Sequence, residues 1–282
     1  MPDDRARPLV DVAWLERHLT DPSVVVLEVG TDDSAYHEAH VPGAAPLSWL
    51  DDLNELDRRG VPSQHHVELL LSSRGVARDS HVVLYGEEDN VFAAYAYWTL
   101  RYYGHLRLSL LDGGRRAWLA AGAPLSEAMP DRVPTRYVAH DPDDSIRLTR
   151  EAVLNSYLGA SGGTAIVDCR SELEFRGRPG TATDLPLLRH RLGGHIPGAR
   201  NVPCVELLDP ATSRLRPAAE LRLLFLEERI GPEQDVALYC DVGGRSALAW
   251  FVLHDLLGYP RVRLYEGGWA EYGSLVAAPV SR

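Results

Sequence analysis

The stretch VALYCDVGGRSALAWFVLHDLLGY, residues 236–259, decides how this chain is built. A short apolar run ends at Cys240, glycines follow at 243 and 244, and a segment of helical length and apolar spacing spans 246–257. An apolar run of four to eight residues bounded by turn residues reads as a buried strand. Strand, glycine turn and helix together are the unit of a parallel α/β sheet. In such sheets, sites gather where strand C-termini feed helix N-termini. Cys240 stands at that junction, whereas a cysteine that only filled space would sit inside the apolar run.

The unit occurs twice. AHVPGA (39–44) matches GHIPGA (194–199) at an offset of 155, and HVVLYG (81–86) matches VALYC (236–240) at 154. LLDGGRRAW (110–118) matches LYEGGWAEY (264–272), again at 154. Upstream, VVVLEVG (24–30) corresponds to AIVDCR (165–170), and LVDVAWLERHL (9–19) to LTREAVLNSYL (148–158), at about 140. The second half therefore carries an insertion of about 15 residues, GRPGTATDLPLLRHR at 177–191. Several matches in one order imply two homologous domains, 1–128 and 145–282, joined by a Pro- and Asp-rich linker at 129–144. Each is expected to be α/β, a mainly parallel sheet with helices on both faces. A length of 282 residues suits two such domains.

Composition narrows the function. The formal charge of −11, from 29 basic and 40 acidic residues, argues against general affinity for nucleic acid or anionic membrane. No apolar run approaches the ~18–20 residues of a membrane span. The N-terminus shows no apolar signal region, so a cytoplasmic protein is expected. The chain has no lysine, which excludes Schiff-base chemistry through that residue. Its three cysteines, 169, 204 and 240, form neither a CxxC nor a Cys/His metal pattern, so neither a metal nor a disulfide framework is expected.

The loop after Cys240 has the makings of an anion cradle: Asp241, Val242, Gly243, Gly244, Arg245 and Ser246. Glycines let backbone N–H groups turn inward. The helix expected to begin near Ser246 adds unpaired N–H groups and a positive dipole end, with Ser246 as its cap. A thiol in such a setting falls from ~8.5 to roughly 3.5–7.5 and becomes a nucleophile. Two chemistries use this arrangement, phosphate-ester hydrolysis through a cysteinyl phosphate and sulfur transfer through a persulfide. Cysteine phosphatases place five residues between Cys and Arg; here four intervene, and the tighter loop favours sulfur transfer.

With DCRSELEF (168–175), GGHIPGARNVP (193–203), the Cys240–Arg245 loop and LYEGGWAEY (264–272), the sequence resembles the rhodanese family, specifically the two-domain thiosulfate and 3-mercaptopyruvate sulfurtransferases. The resemblance implies Cys240 as catalytic nucleophile and persulfide carrier. It also implies ping-pong transfer from a small anionic sulfur donor to cyanide or a thiol, thioredoxin-like proteins included, with no metal or organic cofactor. It implies an inactive first half, and Gly86 indeed stands where Cys240 does, followed by Glu87, Glu88 and Asp89. Arg245 at the sixth loop position favours thiosulfate over 3-mercaptopyruvate, although Asp241 departs from that pattern and would repel a dianion. A protein-binding or sulfur-relay module with a protein donor or acceptor is the alternative.

The remaining candidates are supporting ones. Arg189 and Arg191, in the insertion, and Arg245 are expected to bind the donor, with Arg176 and Arg178 as lesser candidates. Asp168 and Arg170 match the family's D-x-R element and are expected to form a bracing ion pair that includes Glu174. His195, matched by His40 in the inactive half, is expected to be structural. Trp269 is read as a core aromatic that could also line the cleft, and Cys169 and Cys204 as bystander thiols.

Overall fold

The computed structural model describes residues 7–54, 60–157, 164–178 and 192–282. The chain divides into two compact units, Met1–Asp143 with Asp209–Leu215, and Asp144–Leu208 with Arg216–Arg282.

The first unit holds a five-stranded sheet in the order β1-β5-β4-β2-β3, from Leu9–Val10, Val24–Gly30, Ala45–Ser48, His81–Gly86 and Leu108–Leu111. Every pairing is parallel, with Val24 opposite His81 and Leu27 opposite Leu84. The β2 and β4 sequences VVVLEVG and HVVLYG do not alternate apolar with polar, and both strands are buried on both faces, as a covered parallel sheet requires. On one face Val24, Val26, Val83 and Tyr85 pack with Leu15 of α1 (Val12–His18), Tyr36 of α2 (Ser34–Glu38) and Trp118 of α5 (Gly114–Ala120). After α3 (Gln64–Ser73), the apolar α4 (Val91–Tyr102) packs on β2, β4 and β5.

The second unit repeats the plan with four parallel strands in the order β7-β6-β8-β9: Thr164–Asp168 (β6), Arg200–Asn201 (β7), Asp235–Tyr239 (β8) and Val262–Leu264 (β9). Ile166, Ala237 and Tyr239 pack with Val153, Tyr265, Trp269 and Tyr272. The last two belong to α10 (Gly268–Tyr272), and Val153 follows the short α6 (Arg150–Ala152). Next in the chain come α7 (Glu172–Phe175), α8 (Ala218–Glu227) and α9 (Gly244–Phe251), the last packing on β8 and β9. No helix among the described residues is long and apolar enough to cross a membrane.

Two connections differ from the sequence reading. The segment expected to be a linker lies along the first unit: Thr135 N donates to the Ser72 carbonyl at 3.0 Å, Ala139 N to Glu68 at 3.0 Å and Asp143 N to the Tyr102 carbonyl at 2.8 Å. Its lack of helical or strand periodicity reflects an extended chain bonded to helix ends. The segment Asp209–Leu215 also belongs to the first unit. Arg116 donates to Ser213 at 2.8 Å and to the Ala211 carbonyl at 2.8 Å, and Leu215 N donates to Asp112 at 3.0 Å.

Candidate active site

Strand β8 delivers Cys240 to the C-terminal edge of the sheet, where it is 1% exposed. The Cys240 carbonyl accepts from Trp269 N at 2.7 Å and the Asp241 carbonyl from Ala270 N at 3.1 Å, so the start of α10 braces the loop from below. Only glycine serves at position 268. Its φ is +53°, and a Cβ would lie 2.5 Å from both the Cys240 and Asp241 carbonyl oxygens. This close approach explains the GGW element.

Gly243, at φ +91°, ends the loop, and α9 begins at Gly244. The helix thus starts two residues earlier than expected, and Ser246 is not its cap but lies within its first turn. The glycine pair makes this possible, because Gly243 turns the backbone without a side-chain cap. Ser246 Oγ instead donates to Cys240 Sγ at 3.3 Å and to the Gly243 carbonyl at 3.0 Å. Its single proton serves both acceptors and favours the sulfur when the sulfur bears charge.

Arg245 is committed to a partner. Its two terminal nitrogens form a fork with Glu174 at 2.8 and 2.9 Å, and one of them, Nη2, also lies 3.5 Å from Asp241. Glu174 is aimed there by a capping box, in which it accepts from Ser171 N at 3.0 Å and Ser171 Oγ at 2.6 Å. Burial pushes the Glu174 carboxyl up, but the Arg245 bonds and charge, with Ser171, outweigh it and hold the pKa at about 2. Two expectations are corrected here. Glu174 does not join the Asp168–Arg170 pair, and the charge of Arg245 is balanced within the protein before any donor arrives. Asp241 is 2% exposed and turned toward Arg245. Glu174 and Asp241 together outnumber the one guanidinium beside Cys240.

Below the loop, Arg170 and Asp168 are fully buried and joined at 2.6 Å. Arg170 also donates to the Gly194 carbonyl at 2.7 Å, and its guanidinium carbon lies 4.6 Å from the Trp269 ring centroid. Asn201 ties the strand end by donating to the Asp168 and Arg170 carbonyls at 2.9 and 2.8 Å. Trp269 is 0% exposed and part of the core, with its indole N–H on the Leu192 carbonyl at 3.0 Å. His195 Nδ1 donates to the Phe175 carbonyl at 2.8 Å, and its ring stacks on the Phe175 ring at 3.6 Å. His40 does the same with Tyr36, at 2.9 and 3.9 Å. Arg176 is exposed and paired with Glu172 at 2.5 Å, and Arg178 is exposed. Arg189 and Arg191 lie outside the described residues.

Sequence reasoning missed three participants: Glu174 as the anchor of Arg245, Asn201 as the strand tie, and the closeness of Cys169 to Cys240. The S-x-x-E spacing of Ser171 and Glu174 was the available signal for the first. The third had no local signal, because it follows only from the pairing of Asp168 with Tyr239 on neighbouring strands.

The corresponding loop of the first unit is built differently. Glu88, Asp89 and Asn90 all have positive φ, at 48, 56 and 65°. Asn90 fills the turn, accepting from Gly86 N at 2.9 Å and donating to the Leu111 carbonyl at 2.6 Å. A Cβ on Gly86 would lie 2.2 Å from the Val29 carbonyl oxygen, so no cysteine fits there without backbone movement.

The Rhodanese-like domain model matches residues 11–121 and again 153–275. The chain belongs to the rhodanese family. A "Putative thiosulfate sulfurtransferase" of Mycolicibacterium smegmatis is 42% identical over 276 residues, covering 98% of each chain. The "Sulfur carrier protein TtuD" of Thermus thermophilus is 39% identical over 275 residues, covering 97% of this chain and 96% of its own. Among solved structures, YnjE superposes with a TM-score of 0.82 at 25% identity, over 97% of this chain and 68% of that one. An EanB variant complexed with ergothioneine superposes at 0.84 and 22% identity, over 98% of this chain and 70% of its own, a likeness of fold alone. The tandem rhodanese architecture expected from the duplicated motifs is the architecture of this chain.

Proposed function

We propose that this rhodanese-family sulfurtransferase carries a sulfane sulfur as a persulfide on Cys240, with thiosulfate as donor. The observation that carries the reading is the position of Cys240, at the end of β8, one turn from the N-terminus of α9, with Ser246 Oγ 3.3 Å from its sulfur. In the first half-reaction the Cys240 thiolate attacks the outer sulfur of thiosulfate, the S–S bond breaks, and sulfite leaves with the electron pair. In the second, a nucleophile such as cyanide or a thiolate attacks the persulfide's outer sulfur, and the Cys240 thiolate leaves. This is ping-pong covalent catalysis. The persulfide's charge meets the loop N–H groups and the Ser246 hydroxyl. The relatives named as thiosulfate sulfurtransferases support that donor over 3-mercaptopyruvate.

A second reading has support of its own. Arg245 is held by Glu174 and Asp241, which lowers its pull on a small dianion, and one relative at 39% identity is named a sulfur carrier. On that reading sulfur passes to or from a protein. The test is the intact mass of reduced protein after brief exposure to thiosulfate or, separately, 3-mercaptopyruvate, beside Cys240→Ser. A gain of about 32 Da, absent from the variant and reversed by cyanide, supports the persulfide. Faster loading by 3-mercaptopyruvate overturns the donor assignment. Absence of loading by either, with loading by a protein persulfide, selects the relay.

A further inference from the structure

Cys240 is not the only thiol at the edge of this sheet. Asp168 of β6 and Tyr239 of β8 are register partners, and Cys169 N donates to the Tyr239 carbonyl at 2.8 Å. Cys169 and Cys240 are the first residues after these two parallel strands, and the Cys169 N bond to the Tyr239 carbonyl carries the register one step past them, so the two stand side by side. Side chains alternate along a strand, and paired residues share a face. Asp168 and Tyr239 face the Trp269 side, where the Arg170 guanidinium lies between them and that ring. Cys169 and Cys240 therefore share the opposite face. Neighbouring strands run about 4.8 Å apart, which falls inside the ~4.4–6.8 Å Cα separation of a disulfide. Cys169 is 0% exposed, and no step proposed above uses it.

Resting on the persulfide reading, we propose that Cys169 is a resolving thiol: it attacks the Cys240 persulfide from within the protein, closes a Cys169–Cys240 disulfide and releases the carried sulfur as hydrogen sulfide. The Cys169 sulfur attacks Sγ of Cys240, the inner sulfur of the persulfide. The new bond is Cys169 Sγ–Cys240 Sγ, and the bond that breaks joins Cys240 Sγ to the outer sulfur. The outer sulfur departs with the electron pair of that bond and carries away the proton lost by Cys169. Cys169 is oxidised and the outer sulfur reduced, so no outside oxidant takes part. A dithiol reductant returns both cysteines to thiols and is itself oxidised to a disulfide. A persulfide that meets its acceptor promptly is used in transfer; one that waits is discharged, and the protein parks in a form that cannot accept another sulfur. Burial pushes the Cys169 thiol up, which keeps it protonated and makes discharge slow relative to transfer.

The experiment follows the whole chain by intact mass, tryptic mapping and sulfide release after loading, with all acceptors removed. Inorganic polysulfide serves beside thiosulfate as the loading reagent, so that loading does not depend on the donor assignment. The expected course is a gain of about 32 Da that decays to a species about 2 Da lighter than reduced protein, with about one equivalent of sulfide released. The map should contain the Cys169–Cys240 cross-linked peptide pair. Cys169→Ala and Cys169→Ser should load and then hold the extra sulfur at least ten times longer, whereas Cys204→Ser should behave as wild type. Loading without decay to the cross-link, or an unchanged persulfide lifetime in both Cys169 variants, overturns the proposal and leaves the sulfurtransferase reading standing. A cross-link from Cys240 to Cys204 also overturns it. Loading by polysulfide but not thiosulfate overturns the donor reading alone, and loading by neither overturns both. The cross-link in wild-type protein decides the matter even if the variants fold poorly.

Discussion

Glu174→Gln isolates what holds the cradle together. The substitution keeps an oxygen acceptor for Ser171 and for one arm of Arg245, but removes the charge. In the folded protein the Glu174 pKa is about 2, against an ordinary value of 4.5. That difference is worth roughly 3 kcal/mol of stability to the ionised carboxylate. Because the folded pKa is the lower one, this stabilisation is complete above about pH 5, declines as pH falls, and is nearly gone by pH 2. The side chain is 7% exposed, so solvent screening trims the figure only slightly. Wild type and Glu174→Gln should therefore differ by roughly 3 kcal/mol at pH 7 and by only about 1 kcal/mol at pH 3. Other titrating groups are common to both proteins and cancel in the comparison. The assay is urea unfolding of both at each pH, scored on the transition that moves, because a two-unit protein need not unfold in one step. A gap that stays the same at both pH values would show that the Glu174–Arg245 pair contributes geometry and no charge-dependent stability, and would refute the argument.

Three other substitutions probe the site from different sides. Ser246→Ala should change stability by under about 1.5 kcal/mol but lower kcat/KM for thiosulfate by about 10- to 100-fold, since a hydrogen bond to a charged sulfur is worth about 1.5–3 kcal/mol; an unchanged kcat/KM would remove Ser246 from the machinery. Gly268→Ala puts a methyl against two loop carbonyls at positive φ and should destabilise by about 1–3 kcal/mol or more while slowing sulfur loading; wild-type loading with an unmoved melting temperature would show that the close approach is not real. Gly86→Cys should not create a second persulfide site, because the new Cβ meets the Val29 carbonyl and no cradle follows; two sulfurs per chain by intact mass would contradict that.

The fold was readable because it is stated twice. Strands with no polar alternation, such as VVVLEVG and HVVLYG, announce burial on both faces, and glycine pairs at 113–114 and 267–268 recur where a helix start must touch the preceding loop. The position of Cys240 was readable for the same reason. What escaped was everything that depends on which side chain reaches which across the chain. Arg245 and Glu174 are 71 residues apart, and nothing local to either says that the fork between them forms. Asp209–Leu215 reads as an ordinary turn-rich connection, and its membership of the first unit rests on bonds to Arg116 and Asp112 about a hundred residues upstream. The start of α9 was misplaced because serine is a favoured cap, whereas Gly243 does the turning by conformation alone.

The first unit serves as a comparison for which features around Cys240 are structural. In the second unit a buried guanidinium, from Arg170, joins the strand carboxylate of Asp168 to the Gly194 carbonyl, the residue just before His195. In the first unit a buried guanidinium joins Glu28 at 2.7 Å to the Ala39 carbonyl at 2.5 Å, just before His40. There it comes from Arg115, whose sequence counterpart is Trp269; the counterpart of Arg170 is Gly30. The tyrosine beside each carboxylate is also repeated, with Tyr85 OH accepting from Val41 N at 3.0 Å and Tyr239 OH from Ile196 N at 3.1 Å. The same carboxylate, guanidinium, tyrosine and histidine thus stand in a half with no cysteine, supplied in part from different chain positions. An arrangement rebuilt from another residue to meet the same carbonyl answers a demand of the fold, since a buried strand carboxylate and a buried turn carbonyl both need a donor. On the proposed persulfide reading, Asp168, Arg170 and His195 then serve as scaffold, and the chemistry is assigned to what the first half lacks: the Cys240 thiol, Ser246, and a loop whose turn is made by glycine instead of plugged by Asn90.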